Sequence, residues 1–314
     1  MTEIYKVLIT APWFTDTQLR RLTDKFDVRR NNLKRWFTEE ELIELIPDYD
    51  AVIAGLDPFT EEVINKGKKL KIIARRGIGY DKIDLNACRR RGIFVSNTPV
   101  IDEHYAVAEF TVGLILMATK NMQGAHSSLI SGSWEREAFI GRNLRDLTVG
   151  ILGLGNIGIK VAKLIRSFGS QVIYYDPYVN CNEFQNVDIH TLFKTADVVS
   201  VHLPLTKETF RIVDYNLLRT MKVGSYLVNT SRSETIVKED LFKSVEGGKI
   251  KMVALDVFDN EPPLSDEIHK DARFFETPHI AAFTKESFNK IDETCVDNVI
   301  NVLIEKKKPD YLVT

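Results

Sequence analysis

The stretch that decides the fold is TVGILGLGNIG, residues 148–158. Gly153, Gly155 and Gly158 form a GxGxxG pattern after an apolar strand-like run, and an apolar helical run follows it. The pattern alone is a weak signal, but strand, loop and helix in this order are typical of a dinucleotide-binding loop. Gly153 would permit the tight turn, Gly155 the close approach of a pyrophosphate, and Gly158 the packing of the helix. The pyrophosphate would bind free N–H groups at the helix N-terminus.

An acidic residue follows the next apolar run, at the position from which a dinucleotide-binding fold contacts the adenosine ribose. Asp176 comes 18 residues after Gly158, directly behind the next apolar run. A carboxylate there accepts hydrogen bonds from both hydroxyls of an adenosine ribose, and its charge opposes a 2′-phosphate. Neither Pro177 nor Tyr178 supplies a cation for such a phosphate. The sequence therefore predicts NAD rather than NADP; the alternative is a glycine turn followed by an unrelated surface aspartate.

Short apolar runs alternate with helical patterns on both sides of this loop. Such alternation is typical of βαβ units, so we predict an α/β fold with two doubly wound parallel-sheet domains, the second one larger. Helical patterns also cover residues 101–121 and 285–306, and the region 123–147 is predicted to be a loop. The apolar runs are residues 6–10, 51–54, 71–74, 93–95, 148–152, 171–175, 198–202, 226–228 and 252–255.

The size and charge of the chain exclude several classes of protein. Its 314 residues are enough for two domains of ~150 residues each. It has 42 Lys and Arg against 44 Asp and Glu, a balance that provides no general field for nucleic acid or an anionic membrane. The short arginine clusters, such as residues 89–91, come without an aromatic stacking platform. We therefore expect a small-molecule substrate, and neither nucleic acid nor membrane as a partner.

The cysteines and the apolar segments indicate the compartment. Cys88, Cys181 and Cys295 lie far apart and form no CxxC pair. This excludes a disulfide framework and a thiolate-rich metal site, and it favours a reducing compartment. Residues 1–6 lack the apolar core of a signal peptide, and the most apolar long stretch, residues 107–119, is too short to span a bilayer. The sequence predicts a cytoplasmic protein.

Three polar clusters, residues 229–234, 255–263 and 276–280, follow later apolar runs. Ligands of open α/β sheets bind outside the carboxyl ends of strands, so we expect these clusters to converge near the cofactor. Arg232 offers a planar fork for a carboxylate and a charge that polarises a carbonyl. His279 can pass a proton to or from an oxygen, and Glu261 beside it would favour the imidazolium. Together these residue types indicate reversible reduction of a 2-keto acid.

Each of these three residues also has a simpler interpretation. Arg232 is equally compatible with a surface charge, Glu261 with a loop cap, and His279 with an ordinary hydrogen-bonded polar residue. The other histidines have no metal-ligand spacing, so we expect no metal and assign them structural or surface positions. They are His104, His126, His190, His202 and His269.

Several motifs in fixed order extend over essentially the whole chain. They are GIGYDKIDL at 77–85, NTP at 97–99, AVAE at 106–109, GLGNIG at 153–158, HLPLT at 202–206, NTSR at 229–232, DVF at 256–258, EP at 261–262 and TPH at 277–279. With these motifs the sequence resembles the D-isomer-specific 2-hydroxyacid dehydrogenase family. The resemblance implies a smaller, flavodoxin-like substrate domain formed by residues 1–99 and 285–314, an NAD-binding Rossmann domain at 100–284, and a homodimer.

The resemblance also implies roles for individual residues. Arg232 would bind and activate the substrate, and Glu261 and His279 would form the acid–base pair. Backbone N–H groups of Ile78 and Gly79 would bind the substrate carboxylate, and Asp256 would contact the nicotinamide carboxamide. The residues expected to bind the cofactor are Gly153, Gly155, Asn156, Ile157, Gly158, Asp176, Pro204, Thr209, Thr230 and Asp256.

The sequence departs from the family pattern at two places that bear on the substrate. Ser233 follows Arg232, where the family commonly has glycine. Residues 54–57 (AGLD) lack the arginine that members with phosphorylated substrates can carry, although Arg75 and Arg76 could supply positive charge instead. Phosphoglycerate dehydrogenase-like and hydroxypyruvate/glyoxylate reductase-like activities therefore both stay open. A second class of function is an NAD(H)-sensing scaffold of the co-repressor type, since the fold permits it.

Overall fold

The computed structural model of the chain describes residues 4–263 and 271–314. The chain divides into two compact units, one formed by Met1–Glu103 with Phe283–Thr314 and the other by His104–Ala282. Residues 1–3 lie outside the described residues, and they are part of the segment used to predict that the chain has no signal peptide. His269 also lies outside the described residues. Within the described part, no helix combines the length and apolarity needed to cross a bilayer.

The secondary structure alternates strands and helices along the chain. The strands are β1 (Lys6–Ile9), β2 (Asp27–Arg30), β3 (Ala51–Ala54), β4 (Ile72–Arg75), β5 (Phe94–Ser96), β6 (Thr148–Leu152), β7 (Gln171–Tyr175), β8 (Gln185–Asn186), β9 (Val198–Val201), β10 (Ser225–Asn229), β11 (Ile250–Leu255) and β12 (Phe274–Glu276). The helices are α1 (Asp16–Thr23), α2 (Glu39–Leu45), α3 (Glu61–Lys66), α4 (Leu85–Arg91), α5 (Ile101–Thr119), α6 (Met122–Ile130), α7 (Gly158–Ser167), α8 (Ile189–Thr195), α9 (Tyr215–Leu218), α10 (Lys238–Glu246) and α11 (Lys285–Leu303).

The first unit is built on a parallel sheet with the described strand order β2-β1-β3-β4-β5. Every residue of β3 and β4 is buried, as expected for strands covered by helices on both faces. On one face, Cys295, Val296 and Val299 of α11 share an apolar core with Val7 and Ile9 of β1. The last helix of the chain thus belongs to the unit that the first strand begins.

The second unit contains a larger parallel sheet with the described order β12-β11-β10-β9-β6-β7-β8. The chain moves outward from β6 through β7 to β8, and then returns to pair β9 with the other side of β6. The strand order therefore reverses beside β6, which is where ligands bind in open α/β sheets. Apolar clusters cover both faces of the sheet. The predicted α/β class with two doubly wound parallel sheets is confirmed.

Four elements were absent from the sequence prediction. Strands β2, β8 and β12 lie at sheet edges, and β2 and β8 are at least partly exposed throughout, so they show no continuous apolar run. Helix α6 lies in the region predicted as loop. None of its residues is buried, so it lacks the apolar stripe that marks a helix in sequence. Exposed edge strands such as β2 and β8 and uncovered helices thus escape hydrophobic patterning, whereas the more buried edge strand β5 was predicted.

A buried ion pair joins the two chain segments of the first unit. Arg76, directly after β4, places its Nε 2.5 Å from Oδ1 of Asp292 in α11. The two side chains are 6% and 0% exposed. The other carboxylate oxygen of Asp292 accepts a hydrogen bond from the backbone N–H of Thr15, at 2.9 Å. Asp292 therefore fixes three segments that are distant in sequence.

We predict that Asp292→Ala lowers the free energy of unfolding by about 3–5 kcal/mol, because it leaves a buried guanidinium unpaired. Urea denaturation followed by circular dichroism measures the change. Asp297→Ala is the matched control on the same helix. Its pair with Arg21 is 39% and 44% exposed, so we expect a loss of only about 0–1 kcal/mol. Equal losses in the two variants would contradict the structural importance of the buried pair.

Candidate active site

The glycine loop between β6 and α7 is shaped by contacts that exclude a Cβ atom. Gly153 has φ +94°, and a Cβ there would lie 2.6 Å from the carbonyl oxygen of His202. A Cβ on Gly158 would collide with the carbonyl oxygen of Gly153. Gly155 differs, since no atom lies within 4 Å of its Cβ position. The loop is therefore tight where it meets the protein and open at Gly155, where a ligand can approach the backbone.

This open side presents donors for an anion. The backbone N–H groups of Asn156 and Ile157 donate to no other atom among the described residues, and both residues are at least partly exposed. They precede the first turn of α7, where the helix dipole favours negative charge. A pyrophosphate thus fits the loop both sterically and electrostatically.

Asp176 follows β7 and lies against the glycine loop. One carboxylate oxygen accepts from the backbone N–H of Leu154 at 2.8 Å, and the other accepts from Tyr178 at 2.9 Å. These bonds orient a half-buried carboxylate whose oxygens retain further lone pairs for ribose hydroxyls. The arrangement fits the nucleoside end of a dinucleotide.

The other predicted cofactor residues lie in loops that leave the same edge of the sheet. In the loop after β9, the hydroxyl of Thr209 donates to the carbonyl oxygen of Pro204 at 2.6 Å. In the loop after β10, the hydroxyl of Thr230 lies 2.8 Å from that of Thr111. Strands β9 and β10 pair in parallel, and β9 also pairs with β6. The parallel pairing therefore brings both loops to the edge that carries the glycine loop.

The register of the sheet aligns the three polar clusters. Asn229 at the end of β10 pairs with Leu255 of β11, and Leu255 pairs with Glu276 of β12. The three strands therefore end side by side, and Arg232, Glu261 and His279 follow from adjacent ends. The three polar clusters therefore begin at the same edge of the sheet in the second unit, as expected for loops that follow parallel strands.

Hydrogen bonds to its backbone carbonyl oxygen fix the position of Arg232. Its carbonyl oxygen accepts from the side-chain amide of Asn229 at 2.9 Å and from the hydroxyl of Thr235 at 2.7 Å. Asn229 is fully buried and also accepts from the backbone N–H of Ser231 at 2.9 Å. Asn229 was not among the predicted site residues. An amide at the end of an apolar strand was the available signal, because buried polar groups need specific partners.

Glu261 and His279 form a direct pair. The Nδ1 atom of His279 lies 2.8 Å from both carboxylate oxygens of Glu261, and the side chains are 31% and 22% exposed. The backbone N–H of Phe258 donates to Glu261 at 3.2 Å and orients the carboxylate. Because Nδ1 faces the carboxylate, Nε2 is the ring nitrogen that can exchange a proton with a substrate.

Asp256 organises the loop that carries His279. Its Oδ1 accepts from the hydroxyl of Thr277 at 2.6 Å and from the N–H of Ile280 at 2.9 Å, and its Oδ2 accepts from the N–H of Ala281 at 2.8 Å. His279 has φ +54°, an uncommon backbone conformation for a residue other than glycine. Burial raises the pKa of Asp256, and these three hydrogen bonds oppose that rise. Asp256 thus fastens both sides of His279, a role that the sequence analysis missed; its predicted contact with nicotinamide stays a prediction.

Ile78 and Gly79 lie in the loop after β4 of the first unit. The side-chain amide of Asn97 donates to the carbonyl oxygen of Ile78 at 2.8 Å, and the N–H of Gly77 donates to the hydroxyl of Thr98 at 2.7 Å. The N–H groups of Ile78 and Gly79 donate to no other atom among the described residues. The loop is therefore fixed with two adjacent donors available for an anion.

The other described histidines lie outside the pair of Glu261 and His279. Within the described part of the chain, no group of His, Cys, Asp and Glu residues is arranged to hold a metal ion. Nε2 of His202 lies 2.8 Å from the hydroxyl of Ser200. Desolvation lowers the pKa of His202 to about 3, so this ring is neutral at physiological pH. Burial also lowers the pKa of His104.

Comparison with known proteins identifies the class. Residues 112–281 match the model of the "D-isomer specific 2-hydroxyacid dehydrogenase, NAD binding domain". The chain is 37% identical to a hydroxypyruvate reductase of Thermotoga maritima over 307 residues, which cover 95% of this chain and 98% of that protein. It is also 36% identical to a D-3-phosphoglycerate dehydrogenase of Archaeoglobus fulgidus over 88% of this chain, although the match spans only 54% of that relative.

Solved structures agree with this assignment. The D-lactate dehydrogenase of Aquifex aeolicus, complexed with NAD and lactic acid, aligns with a TM-score of 0.87 at 26% identity and covers 98% of both chains. The TT0316 protein of Thermus thermophilus aligns with a TM-score of 0.90 at 31% identity, covering 98% of this chain and 100% of that one. The chain belongs to the D-isomer-specific 2-hydroxyacid dehydrogenase family. It is an NAD-dependent oxidoreductase, which confirms the predicted family, enzyme class and cofactor.

We predict that Gly158→Ala weakens NADH binding by about tenfold or more, which corresponds to roughly 1.4 kcal/mol. The new Cβ meets the carbonyl oxygen of Gly153, so the loop must shift away from the shape that cradles the pyrophosphate. Fluorescence titration with NADH measures the affinity. Gly113→Ala in α5 is the control, because its Cβ meets no atom within 4 Å. Unchanged NADH affinity in Gly158→Ala would remove this loop from the cofactor site.

Proposed function

We propose that this enzyme reduces a 2-keto acid to the D-2-hydroxy acid with NADH, and catalyses the reverse reaction with NAD⁺. The observation that carries the proposal is the contact of His279 Nδ1 with both oxygens of Glu261 at 2.8 Å. It directs one ring nitrogen to a carboxylate and leaves the other for an oxygen of the substrate. Bound NADH supplies the hydride that the carbonyl carbon accepts.

The side chains of this enzyme supply the proton and the charge. His279 Nε2 holds the proton that the carbonyl oxygen gains during reduction, and Glu261 stabilises the charged ring until the transfer. Arg232 binds the substrate carboxylate and polarises the carbonyl, since its guanidinium offers paired donors and a permanent charge. We assign the N–H groups of Ile78 and Gly79 to the carboxylate as well, because they have no other acceptor among the described residues.

We assign the pyrophosphate to the loop of Gly153, Gly155 and Gly158 and the adenosine ribose to Asp176. The N–H groups of Asn156 and Ile157 point to the same assignment, because they are accessible at the start of α7. The carboxylate of Asp176 would repel a 2′-phosphate, so NADH should be strongly preferred over NADPH. Residues Pro204, Thr209, Thr230 and Asp256 complete the proposed cofactor site.

The decisive experiment is NADH consumption in the presence of 2-keto acids, with NADPH in parallel. We include hydroxypyruvate and glyoxylate because relatives are named a hydroxypyruvate reductase and a glyoxylate reductase. We include 3-phosphohydroxypyruvate because other relatives are named D-3-phosphoglycerate dehydrogenases. Turnover of at least one keto acid with NADH is expected. Absence of turnover with all of them, while NADH still binds, would favour the NAD(H)-sensing scaffold.

A double-mutant cycle tests whether Glu261 and His279 act as one unit. His279→Gln should lower kcat/KM by roughly 100-fold or more, because general acid catalysis contributes that much. Glu261→Gln should lower it by about tenfold, and the double variant should be no worse than His279→Gln alone within about threefold. NADH affinity should stay unchanged in all three variants. Multiplicative losses in the double variant would show that the two side chains act independently.

We also propose that the enzyme is a cytoplasmic homodimer. The homodimer is supported by large apolar side chains exposed on α6 and the segment after it: Met122, Leu129, Ile130, Trp134 and Ile140. An exposed patch of this kind is typical of a protein interface. The cytoplasm is supported by three cysteines that form no disulfide, of which Cys88 and Cys295 are buried.

We predict that Ile130→Glu converts the dimer to a monomer, because the charge would be buried in an apolar interface. Ile130 is 73% exposed in the single chain, so the substitution should leave its fold intact. Sedimentation velocity measures the oligomeric state, and circular dichroism checks the fold. Val223→Glu, at an 80% exposed position of the same unit, is the control. A dimer that persists in Ile130→Glu would exclude this patch as the interface.

A further inference from the structure

The sheet of the first unit has its own point of reversal. From β1 the chain continues to β2 on one side, whereas β3 pairs with β1 on the other side. The loops after β1 and β3 therefore diverge and open a crevice at the carboxyl ends of the strands, the usual ligand position in this type of sheet. Trp13 lies in the loop after β1, and Gly55 begins the loop after β3.

Four aromatic rings gather at this crevice, and we call them the aromatic wall: Trp13, Trp36, Phe283 and Phe288. The ring of Trp13 lies 5.7 Å from that of Trp36, 5.0 Å from that of Phe283 and 6.4 Å from that of Phe288, between centroids. Phe283 is 40% exposed, and both tryptophans are partly exposed. The wall therefore presents apolar surface where the topology places a ligand.

The ring of Trp36 fills the space beside Gly55, so position 55 cannot carry a side chain that reaches into the crevice. A Cβ on Gly55 would lie 2.7 Å from Cε3 of Trp36, so the indole ring covers this glycine. The N–H of Gly55 is also engaged, because it donates to the hydroxyl of Thr10 at 2.9 Å. The crevice thus offers an aromatic face rather than a cation or a free donor at this position.

The charged side chains around the crevice are buried. Asp57 is fully buried, with one oxygen accepting from the N–H of Phe37 at 2.7 Å. Desolvation raises the pKa of Asp57 to about 6, so its carboxyl group is still largely ionised at neutral pH. Arg76 is paired with Asp292 and stacks on Phe288, 4.5 Å from the ring centroid. Arg75 is buried, and its guanidinium donates to the carbonyl oxygen of Arg76. Both arginines that the sequence offered for a phosphate are buried, and each has a protein partner, although Nη2 of Arg76 has no hydrogen-bond acceptor among the described residues.

The aromatic wall is close to the two open donors of the first unit. The N–H of Arg76 donates to the carbonyl oxygen of Ala54 at 2.9 Å, which places the start of the Gly77–Gly79 loop beside Gly55 and Trp36. A substrate carboxylate on the N–H groups of Ile78 and Gly79 would therefore bring its side group to the aromatic surface. The carboxylate and the side group of a 2-keto acid lie on opposite sides of the carbonyl carbon, which suits this arrangement.

We propose that Trp13 and Trp36 receive the side group of the substrate and that this group is apolar, a branched aliphatic or aromatic substituent rather than a phosphorylated one. The inference rests on the proposed function, because it names the class of 2-keto acid that the same site accepts. Burying such a group against the tryptophans stabilises the bound substrate in proportion to the apolar area removed from water. Binding a phosphate there would place a dianion against aromatic faces, which replace few of its hydrogen bonds to water.

The test compares kcat/KM with NADH for five keto acids: phenylpyruvate, 4-methyl-2-oxopentanoate, hydroxypyruvate, 3-phosphohydroxypyruvate and glyoxylate. Glyoxylate has no side group, so its kcat/KM gives the rate of the reaction without any contact between a side group and the aromatic wall. The two apolar substrates should exceed glyoxylate and hydroxypyruvate by about tenfold or more, the scale on which hydrophobic pockets discriminate. The phosphorylated substrate should be the poorest of the five.

Variants of Trp13 separate a role in specificity from a role in folding. Trp13→Ala should lower kcat/KM for phenylpyruvate about tenfold or more and change that for glyoxylate by less than about threefold. Trp13→Phe should restore most of the loss, and it serves as the informative variant if Trp13→Ala does not fold. Tyr5 lies directly before β1, at the end of the strand opposite to Trp13. Tyr5→Ala should therefore leave the ratio of kcat/KM for phenylpyruvate to that for glyoxylate unchanged.

The outcomes distinguish this inference from the proposed function. If no 2-keto acid is turned over, the proposed function itself is overturned. If at least one keto acid is turned over but glyoxylate, hydroxypyruvate or 3-phosphohydroxypyruvate is the best substrate, only the inference fails. It also fails if Trp13→Ala, or Trp13→Phe in its place, lowers kcat/KM for glyoxylate and phenylpyruvate by the same factor.

Discussion

Parallel pairing of the strands is the constraint on which the second unit depends. Parallel strands all end at one edge, so residues as distant in sequence as Gly153 and His279 are delivered to the same side of the sheet. The register then refines the placement, because Asn229, Leu255 and Glu276 stand side by side at the ends of β10, β11 and β12. The loops that begin at these positions carry the proposed catalytic side chains.

Buried polar side chains convert this topology into a defined site. Asn229 fixes the backbone of Arg232, and Asp256 fastens the loop on both sides of His279. In the first unit, Asp292 has the corresponding role for Arg76 and the loop after β1. Each of these groups is fully buried and engaged by specific partners, so it holds its loop in one position. Rigid loops suit an enzyme that must align a proton donor with a carbonyl group.

The sequence predicted most of the fold because most strands are buried and therefore apolar throughout. It failed for β2 and β8, which lie at sheet edges, and for α6, which has no buried residue. The same contrast holds at the candidate site. The glycine loop, Asp176, Arg232, Glu261 and His279 were assigned roles from motifs. Asn229 and Thr277 lie in the same motifs but were assigned no role, because only the structure shows their hydrogen bonds to Arg232 and Asp256.

By itself, the sequence determined the fold class, the family and the cofactor, since glycine spacing, apolar runs and an acid after the next strand are local patterns. The tertiary structure decided which side chains meet: the carboxylate of Glu261 with the ring of His279, Asp256 with the loop around it, and the tryptophans with one another. Such contacts join residues that are distant along the chain. Only the folded backbone brings them together, so neither composition nor periodicity contains that information.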